Sequence, residues 1–335
     1  MASIKEVARA AGVSTATVSR VLANSPHVRP ALRERVLKAI KELEYRPNLI
    51  ARSLRAQQTT TIGLIVSDIR NPFFTDISRA VEDTAYEQGY SLILCNTDED
   101  PKKESIYLNV LRDASVAGVI LSPTGPTAAG LRELEAGLAV VVIDRSIPDA
   151  DVDMVLLDNV DSAYRLTRHL LDNGYRRIAA ICGERSTTGR ERYAGYEQAL
   201  RAYGVQPMAE LVRFVPPQIE AGYAAALRLL ELPEPPEALL TTNSLLAAGA
   251  LEAIRERGLC IPEDVALVSF DATTWASLVQ PPITLIEQPT YEIGKTATEL
   301  LLQRVAEPER PTRRVILKGR LIVRGSSRPR ARCSS

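Results

Sequence analysis

Apolar segments alternate with amphipathic helical patterns over about 260 residues, and this alternation limits the possible folds more than any other feature. Helical spacing covers 74–88, 159–173, 190–203 and 244–257. Around these ranges lie runs with the composition of buried parallel strands: IGLIVSD, YSLILCN, VAGVILS, AVVVID, MVLLD, RIAAICG, EALLTT and VALVSFD. Such a pattern predicts doubly wound parallel sheets with helices packed on them.

The alternating region is longer than one sheet comfortably holds, so we expect two α/β lobes. The lobes are predicted to divide near residues 158–160. The segment that begins PPITLIEQPTYEIG is predicted to cross back between them. Because ligands in doubly wound folds bind beyond the carboxyl ends of the strands, the expected ligand site is the cleft between the lobes.

Three short helical patterns precede this region. Ser3 and Glu6 form a capping box that opens the first helix, Gly12 ends it, and Ser14 can cap the second. Pro30 suits the first turn of the third helix. The predicted inner face of that helix consists of Leu32, Val36, Leu37, Ile40 and Leu43. Three helices with a glycine turn between the first two predict an all-α helix-turn-helix head.

The charge is distributed unevenly although the chain is neutral as a whole. Residues 1–58 hold eleven basic and four acidic residues, a net charge of +7. Residues 324–335 add four arginines and no acid, which leaves −11 for the middle of the chain. A basic head on an acidic body favours a polyanionic partner for the head, although a solvated charged face explains the same pattern.

The second helix has the residues of a DNA-reading helix. Thr15 and Ala16 lie at its N-terminal end, which usually meets base edges in the major groove. Arg20 can bond a guanine bidentately, and Ala16 can contact a thymine methyl group. The hydroxyls suited to phosphate contacts belong to Ser14, Thr17 and Ser19. The alternative is an ordinary three-helix module with an exposed arginine.

In these residues and in the motifs around them, the sequence resembles the lactose/galactose-repressor (LacI) family of bacterial transcription regulators. The most specific match is IKEVARAAGVSTATVSRVL followed by RERVLKAIKELEYRPNLIARSL. The core adds NPFF, RYAGYEQAL and VSFD in the same order. The resemblance implies a periplasmic-binding-protein-like core, a homodimer, a palindromic operator in double-stranded DNA and a small-molecule effector. It implies a repressor with no cofactor and no metal.

The resemblance also assigns a role to the segment NLIARSLRAQQ. On its pattern alone this segment is a plain linker. In the family, the matching segment folds into a hinge helix on the operator, and one leucine from each protomer enters the minor groove. Leu54 holds that position, with Arg52 and Arg55 beside phosphate and Asn48 as the cap. An apolar wedge of this kind unstacks a base step and kinks the DNA.

One position of the head departs from the family pattern. Ala23 stands where members commonly have an asparagine that contacts the DNA backbone, so one phosphate contact is in doubt. Asn24 can substitute for it. His27 matches a position near the backbone, although a loop histidine is equally explained by simple exposure to solvent.

In the core, polar and aromatic residues at strand ends and in cleft loops are the predicted effector contacts. They are Phe73, Phe74, Asp144, Arg192, Asn243, Asp271, Trp275 and Gln288. Five of them have a plainer interpretation: Asp144 and Asp271 as helix caps, Arg192 in a structural ion pair, and the two phenylalanines as core residues.

The ligand class can be narrowed. Purine- and galactoside-binding members place an aromatic platform in the loop that reads FVPPQIEAGY here, where Pro217 and Gln218 stand. A stacked purine is therefore disfavoured. The expected effector is a sugar, a sugar phosphate or a sugar acid.

Two other functions compete with that of a regulator. A sugar-binding transport protein would share the core, but the basic head and the lack of a signal-peptide pattern oppose it. An α/β enzyme is opposed because the sequence has no GxSxG, no GxxxxGK[ST] and no metal-spaced cluster. Four separated cysteines without a CxxC pair and the lack of a long apolar run indicate a cytoplasmic protein with no membrane segment.

The predicted division of the chain follows from these patterns. Its parts are the helix-turn-helix head 1–46, the hinge 47–59, the core 60–325 and a disordered basic tail 326–335. Within the core, lobe one is about 60–158 and 288–318, and lobe two is about 159–287 and 319–325.

Leu54→Ala tests the minor-groove wedge. We expect it to weaken binding to a specific operator far more than binding to unrelated DNA, because only the kinked complex uses the wedge. Competition gel-shift measurements at fixed salt would compare the two affinities. Equal losses on both DNAs would show that Leu54 is part of a linker.

Overall fold

The structure, a computed structural model, divides into two units, residues 1–59 and 60–335. It describes residues 2–22, 27–43, 45, 59–125, 138–184 and 186–329. In these ranges the α-helices are α1 Ile4–Ala11, α2 Thr15–Leu22, α3 Pro30–Glu42, α4 Pro72–Glu87, α5 Pro101–Asp113, α6 Asn159–Asp172, α7 Thr187–Ala202, α8 Ile219–Leu230, α9 Ser244–Glu256, α10 Thr274–Leu278 and α11 Thr290–Ala306.

The strands of the described residues all belong to the second unit. They are β1 Thr61–Val66, β2 Ser91–Asn96, β3 Gly118–Leu121, β4 Ala139–Ile143, β5 Asp153–Leu157, β6 Ile178–Gly183, β7 Val212–Val215, β8 Ala238–Thr241, β9 Ala266–Phe270, β10 Thr284–Glu287, β11 Arg314–Leu317 and β12 Arg320–Ile322. The eight predicted strands and the four predicted helices are all present, and the helix ends agree within three residues.

The first unit contains the three helices that its capping residues predicted. The Ser3 backbone N–H donates to Glu6 at 2.6 Å, and the Glu6 N–H donates to the Ser3 hydroxyl at 3.3 Å, which completes the capping box. Gly12 ends α1 with a φ of +59°, in the left-handed region that glycine enters without strain. The Ser14 hydroxyl accepts from the Thr17 N–H at 3.2 Å and caps α2.

The core of the head confirms two residues of the predicted α3 face and corrects two others. Val36 is fully buried and Ile40 packs partly buried against the same cluster, but Leu37 is 52% exposed and Leu43 is 36% exposed. Leu37 follows Val36 by one residue, a rotation of about 100° around a helix, so it points away from the core. Leu43 lies beyond the last helical residue, and Ala39 takes the buried place instead.

The second unit holds two six-stranded sheets. Sheet A has the order β11-β5-β4-β3-β1-β2, with every pairing parallel. Helices α4 and α11 pack on one face of it, and α5 packs on the other. Sheet B has the order β12-β10-β9-β8-β6-β7 and is parallel except for β12. Helices α6 and α7 cover one of its faces, and α8 to α10 cover the other.

The chain passes three times between the two sheets. It leaves sheet A after β5, returns after β10, and leaves again between β11 and β12, which are consecutive strands in different sheets. The segment PPITLIEQPTYEIG crosses between the lobes as expected, but it first supplies β10 to sheet B. The predicted fold class, a helix-turn-helix head with a two-lobed core of doubly wound sheets, is thereby confirmed.

Strand β2 differs from its prediction as a buried strand. It lies at the edge of sheet A, and Ile93 and Leu94 are 38% and 43% exposed. Apolar composition predicted burial here because composition alone does not tell a central strand from an edge strand that meets another surface.

The prediction of a disordered tail from residue 326 is wrong at its start. Ser326 and Ser327 are completely buried. The Ser326 hydroxyl accepts from the Thr284 N–H at 2.8 Å, and the Ser327 hydroxyl lies 2.8 Å from the His169 Nε2. These bonds satisfy the buried hydroxyls and hold the segment against sheet B. The basic composition of the tail does not indicate these contacts. Residues 330–335 lie outside the described residues.

Candidate functional site

A cavity lies where the carboxyl ends of strands from both sheets face each other. Its lining from sheet A includes Asp68, Asn71, Phe73, Phe74, Glu99, Asp144 and Arg145. Its lining from sheet B includes Gly183, Ser186, Thr188, Gly189, Arg192, Pro217, Thr242, Asn243, Leu245 and Asp271, and Gln288 lies in the second crossover. Seven of the eight predicted effector residues are therefore brought together, since Trp275 alone is missing from this lining.

Arg192 is one of the two arginines in this lining. It lies on α7, which packs closely on α6: a Cβ at Gly195 would come within 2.2 Å of the Val160 carbonyl oxygen. The Arg192 side chain is 5% exposed, its Nε donates to the Asn159 Oδ1 at 2.8 Å, and its Nη1 donates to the Thr242 carbonyl. The guanidinium carbon lies 4.1 Å from the Phe270 ring centroid.

The partners of Arg192 are neutral. Among the described residues, no carboxylate lies within ion-pair distance of its guanidinium, so the structural ion pair considered from the sequence is not formed there. Burial lowers the pKa of Arg192, and the nearby charges of Asp271 and Asp144 oppose that shift. A buried cation in this setting attracts the hydroxyls or carboxylate of a ligand.

Asp271 follows β9 with a φ of +73°, a costly conformation for a residue with a Cβ. One of its carboxylate oxygens accepts from the Gln288 Nε2 at 2.6 Å, and the other accepts from the Ser244 N–H at 3.1 Å. Ser244 is the first residue of α9, so Asp271 satisfies the N-terminus of a helix that follows a different strand. These contacts fix the carboxylate and tie the second crossover to sheet B.

Asp144 follows β4 in a similar left-handed conformation, with a φ of +65°. Its side chain is 9% exposed and lies 3.4 Å from the Nε of Arg145. Burial raises the pKa of Asp144 to about 6, although Arg145 and Arg192 act in the opposite direction. Asp144 opens no helix among the described residues, so the helix-cap interpretation does not apply to it.

Arg145, the residue after Asp144, was not among the site residues predicted from the sequence. Arg145 is 6% exposed and is held by Glu99, to which its Nη1 donates at 2.7 Å, and by the Pro123 carbonyl oxygen at 3.0 Å. A basic residue directly after an acidic residue at the end of a strand was a signal in the sequence. The partner of Arg145, Glu99, is 46 residues away, and only the fold reveals this pair. Glu99 neutralises Arg145, so Arg192 is the arginine of the described lining that has no carboxylate at ion-pair distance.

Asn243 and the two phenylalanines have structural roles as well as a place in the lining. The Asn243 Oδ1 accepts from the Leu246 N–H at 2.8 Å and caps α9. Phe73 and Phe74 are 5% and 4% exposed, belong to the core of sheet A, and meet edge to face with centroids 4.9 Å apart. Their plainer interpretation as core residues therefore holds together with their position at the cavity.

Trp275 is not brought to the cavity. It lies in the short helix α10, partly buried against the apolar cluster that covers sheet B. The position of Trp275 four residues after Asp271 suggested a cleft residue, but in α10 the indole packs against the core of sheet B. Pro217 does line the cavity, and Gln218 precedes the first residue of α8.

The cavity is narrow, with a volume of about 50 Å³. A groove of about 550 Å³ adjoins it and shares Phe73, Asp271 and Gln288 with its lining. The remainder of the groove includes Asp76, Glu287, Tyr291, Lys318 and Arg320. Ligand pockets commonly measure roughly 300–1,000 Å³, so the cavity and the groove together, and not the cavity alone, have the size of a ligand pocket.

In the head, the predicted DNA-reading residues lie on one side of α2. Thr15, Ala16 and Arg20 are exposed, while Val18 and Val21 on the opposite side are buried. Ser14 and His27 are also exposed, and Thr17 and Ser19 are partly exposed. Ala23, Asn24, Asn48, Arg52, Leu54 and Arg55 lie outside the described residues.

Comparison with known proteins decides the family. A profile described as "Bacterial regulatory proteins, lacI family" matches residues 3–48. A second, "Periplasmic binding proteins and sugar binding domain of LacI family", matches residues 59–324, which is most of the chain. The chain belongs to the LacI family. The prediction of a DNA-binding transcription regulator with an effector-binding core is confirmed at this level.

Relatives that align with the LacI-family chain over its length are named as transcription regulators. The repressor PurR of Haemophilus influenzae is 37% identical over 334 residues, covering 97% of this chain and 98% of the relative. The regulator DegA of Bacillus subtilis is 34% identical over 333 residues, covering 98% of each.

Solved structures agree with the LacI-family assignment. The lac repressor dimer bound to operator and the anti-inducer ONPF superposes with a TM-score of 0.86 at 27% identity, covering 98% of this chain and 99% of that one. The complex of the regulator CelR with cellobiose gives a TM-score of 0.74 at 33% identity, covering 97% and 100%. None of the described helices combines the length and the apolar character of a membrane-spanning segment. The described histidine, cysteine, aspartate and glutamate side chains form no cluster that could hold a metal ion.

Asp144→Asn tests the buried carboxyl group. The pKa of about 6 in the folded protein exceeds the ordinary value near 3.9, so the folded state loses stability as the pH rises through about 6. We expect the melting temperature of the variant, relative to the wild type, to increase between pH 5 and pH 7.5. Asp149→Asn makes the same chemical change at an exposed site that also has a left-handed φ. If the difference in melting temperature between Asp144→Asn and the wild type did not change with pH, the raised pKa of Asp144 would be contradicted.

Proposed function

We propose that the protein is a homodimeric repressor that binds a palindromic operator and responds to a sugar-class effector in the cavity between its lobes. The observation that carries this proposal is the buried Arg192, whose guanidinium meets neutral acceptors and faces the carboxylates of Asp144 and Asp271 across a cavity. A binding site of this chemistry, joined in one chain to an exposed helix-turn-helix surface, has the parts of an effector-controlled regulator.

The head would read DNA with α2. Arg20 would contact a guanine, and Thr15 and Ala16 would contact neighbouring base edges, since all three are exposed on the side away from the head core. The proposed phosphate contacts are Ser14, Thr17, Ser19, Asn24, His27 and Asn48. Leu54 would be the minor-groove wedge, with Arg52 and Arg55 at its sides. The similar lac repressor structure supports this proposal, because that protein is a dimer bound to its operator.

The charges of the cavity favour an uncharged effector. Its lining has four acidic residues, Asp68, Glu99, Asp144 and Asp271, against two arginines. A sugar phosphate or sugar acid would meet this excess of negative charge, whereas the hydroxyls of a neutral sugar can donate to Asp144 and Asp271 and accept from Arg192. The cellobiose complex of CelR supports a sugar, and the adjoining groove leaves space for more than one ring.

Two protomers would meet through the edge of sheet A. Tyr86, Ile93, Leu94, Ile106 and Val110 are exposed apolar residues of α4, β2 and α5, the elements at that edge. An edge strand with apolar side chains is an aggregation hazard unless another surface covers it. A dimer would also present two heads to the half-sites of a palindrome.

Control would work by a shift of populations. An effector that binds one arrangement of the lobes more tightly stabilises that arrangement, and the arrangement would permit or prevent pairing of the hinge segments on DNA. We further propose that the protein acts in the cytoplasm, associated with the nucleoid when bound to DNA, and that it catalyses no reaction. The predicted boundaries at residues 46 and 59, and the lobe division at 158, remain part of this proposal.

Arg20→Ala tests the reading of DNA. The operator is first identified by selecting, from random DNA, the sequences that the wild type binds. The variant should lose its base preference at one position of each half-site, and its binding free energy for the preferred base should weaken by about 1–3 kcal/mol. Ser19→Ala is the matched control, because it should weaken binding about equally on all sequences. An unchanged base preference for Arg20→Ala would limit Arg20 to phosphate contacts.

Arg192→Ala tests the effector site. A panel of neutral sugars, sugar phosphates and sugar acids is first screened by thermal shift, and compounds that raise the melting temperature are then tested on operator binding. The variant should lose both responses while its operator affinity without effector stays within about twofold, because Arg192 lies in the core and not in the head. Arg190→Ala on the same helix is the control. A normal response of Arg192→Ala would remove Arg192 from the site.

A further inference from the structure

The carboxylate of Glu191 links the two lobes beside the cavity. The Ser146 hydroxyl donates to the Glu191 Oε1 at 3.1 Å, and the Asn159 Nδ2 donates to the Glu191 Oε2 at 2.8 Å. Ser146 lies in the loop after β4 of sheet A, whereas Glu191 lies on α7, which packs on sheet B. Each oxygen of this carboxylate therefore has a different partner, and one of them comes from the opposite lobe.

Asn159 continues the chain of contacts into the cavity. It is 2% exposed, and its Oδ1 accepts from the Arg192 Nε at 2.8 Å while its Nδ2 donates to Glu191. Arg192 can only donate and the carboxylate of Glu191 can only accept, so the Asn159 amide has one possible orientation. Asn159 is also the first residue of α6, directly after the first crossover between the sheets.

These contacts form one path from Ser146 through Glu191 and Asn159 to Arg192. Separation of the lobes would withdraw the Ser146 hydroxyl from Glu191. Glu191 would then be held by Asn159 and solvent alone. The Asn159 amide accepts from the Arg192 Nε through its Oδ1, and its Nδ2 would no longer be bonded to a carboxylate fixed in place. The orientation of the guanidinium would depend in this way on the distance between the lobes.

We propose that Glu191 is a positioning residue that makes the orientation of Arg192 depend on lobe closure. The proposal rests on the proposed function, in which Arg192 binds the effector. Glu191 lines neither the cavity nor the adjoining groove. It lets a closed protein present Arg192 in a fixed direction and an open protein present it loosely, so that closure and effector binding reinforce each other.

The Arg192 Nε–H reports this coupling directly, and no effector is needed to observe it. In the full-length ¹⁵N-labelled protein, the arginine Nε–H signals are recorded, and the Arg192 signal is assigned by its loss in Arg192→Lys. Exchange of this proton with solvent is then measured in Ser146→Ala and Glu191→Ala. We expect exchange about tenfold faster in both variants, because the bond to Asn159 opens more often.

Two control variants separate the proposed role from general destabilisation. Ser146→Thr keeps the hydroxyl and should keep the slow exchange. Tyr193→Phe removes the 2.9 Å bond between Tyr193 and Glu197 on the same helix, outside the path, and should also leave exchange unchanged. Melting temperatures and the remaining arginine signals verify that each variant is folded.

Unchanged exchange in Ser146→Ala would overturn the proposal, since Arg192 would then be fixed regardless of the other lobe. Unchanged exchange in Glu191→Ala would overturn it too, because Asn159 would hold Arg192 without help. Equally fast exchange in Tyr193→Phe would assign the effect to general loosening of α7 and would contradict the path. If no sugar in the panel affects operator binding, the proposed function fails, and the exchange result still stands as a property of the lobes.

Discussion

The core of this protein depends on a buried cation that has no carboxylate at ion-pair distance among the described residues. Arg192 is 5% exposed, and the bonds that hold it come from an amide and a backbone carbonyl, together with the face of an aromatic ring. Burial of an unpaired charge is costly unless surrounding dipoles and more distant charges offset it. Asp271 of sheet B and Asp144 of sheet A supply those charges, so one of the two comes from the opposite lobe.

Strained backbone marks the same place. Asp144 and Asp271 both have positive φ values directly after a strand, one in each sheet. Conformations of this kind persist where the surrounding contacts determine them, and they concentrate at functional sites. In both residues the turn directs a carboxylate into the space between the sheets, where Arg192 lies.

Much of this arrangement could be predicted from the sequence, because strand ends and helix caps are local signals. The eight apolar runs and the Ser3–Glu6 capping box indicated the correct elements, and the strand-end residues Asp144, Asn243 and Asp271 indicated most of the cavity. The pairing of Arg145 with Glu99 and the path through Glu191 join residues from distant parts of the chain, so no local pattern indicates them. Trp275 and Leu37 were misplaced because proximity in sequence and apolar character do not fix the direction of a side chain.

The last strands of the chain have a consequence for the order of folding during synthesis. Strand β11 completes the edge of sheet A beside β5, and β12 completes the edge of sheet B beside β10. Ser326 and Ser327 then supply buried bonds to sheet B. On the ribosome, neither lobe can reach its final form until the C-terminal end of the chain has emerged. The head, whose three helices end by residue 42, can fold as soon as it leaves the exit tunnel.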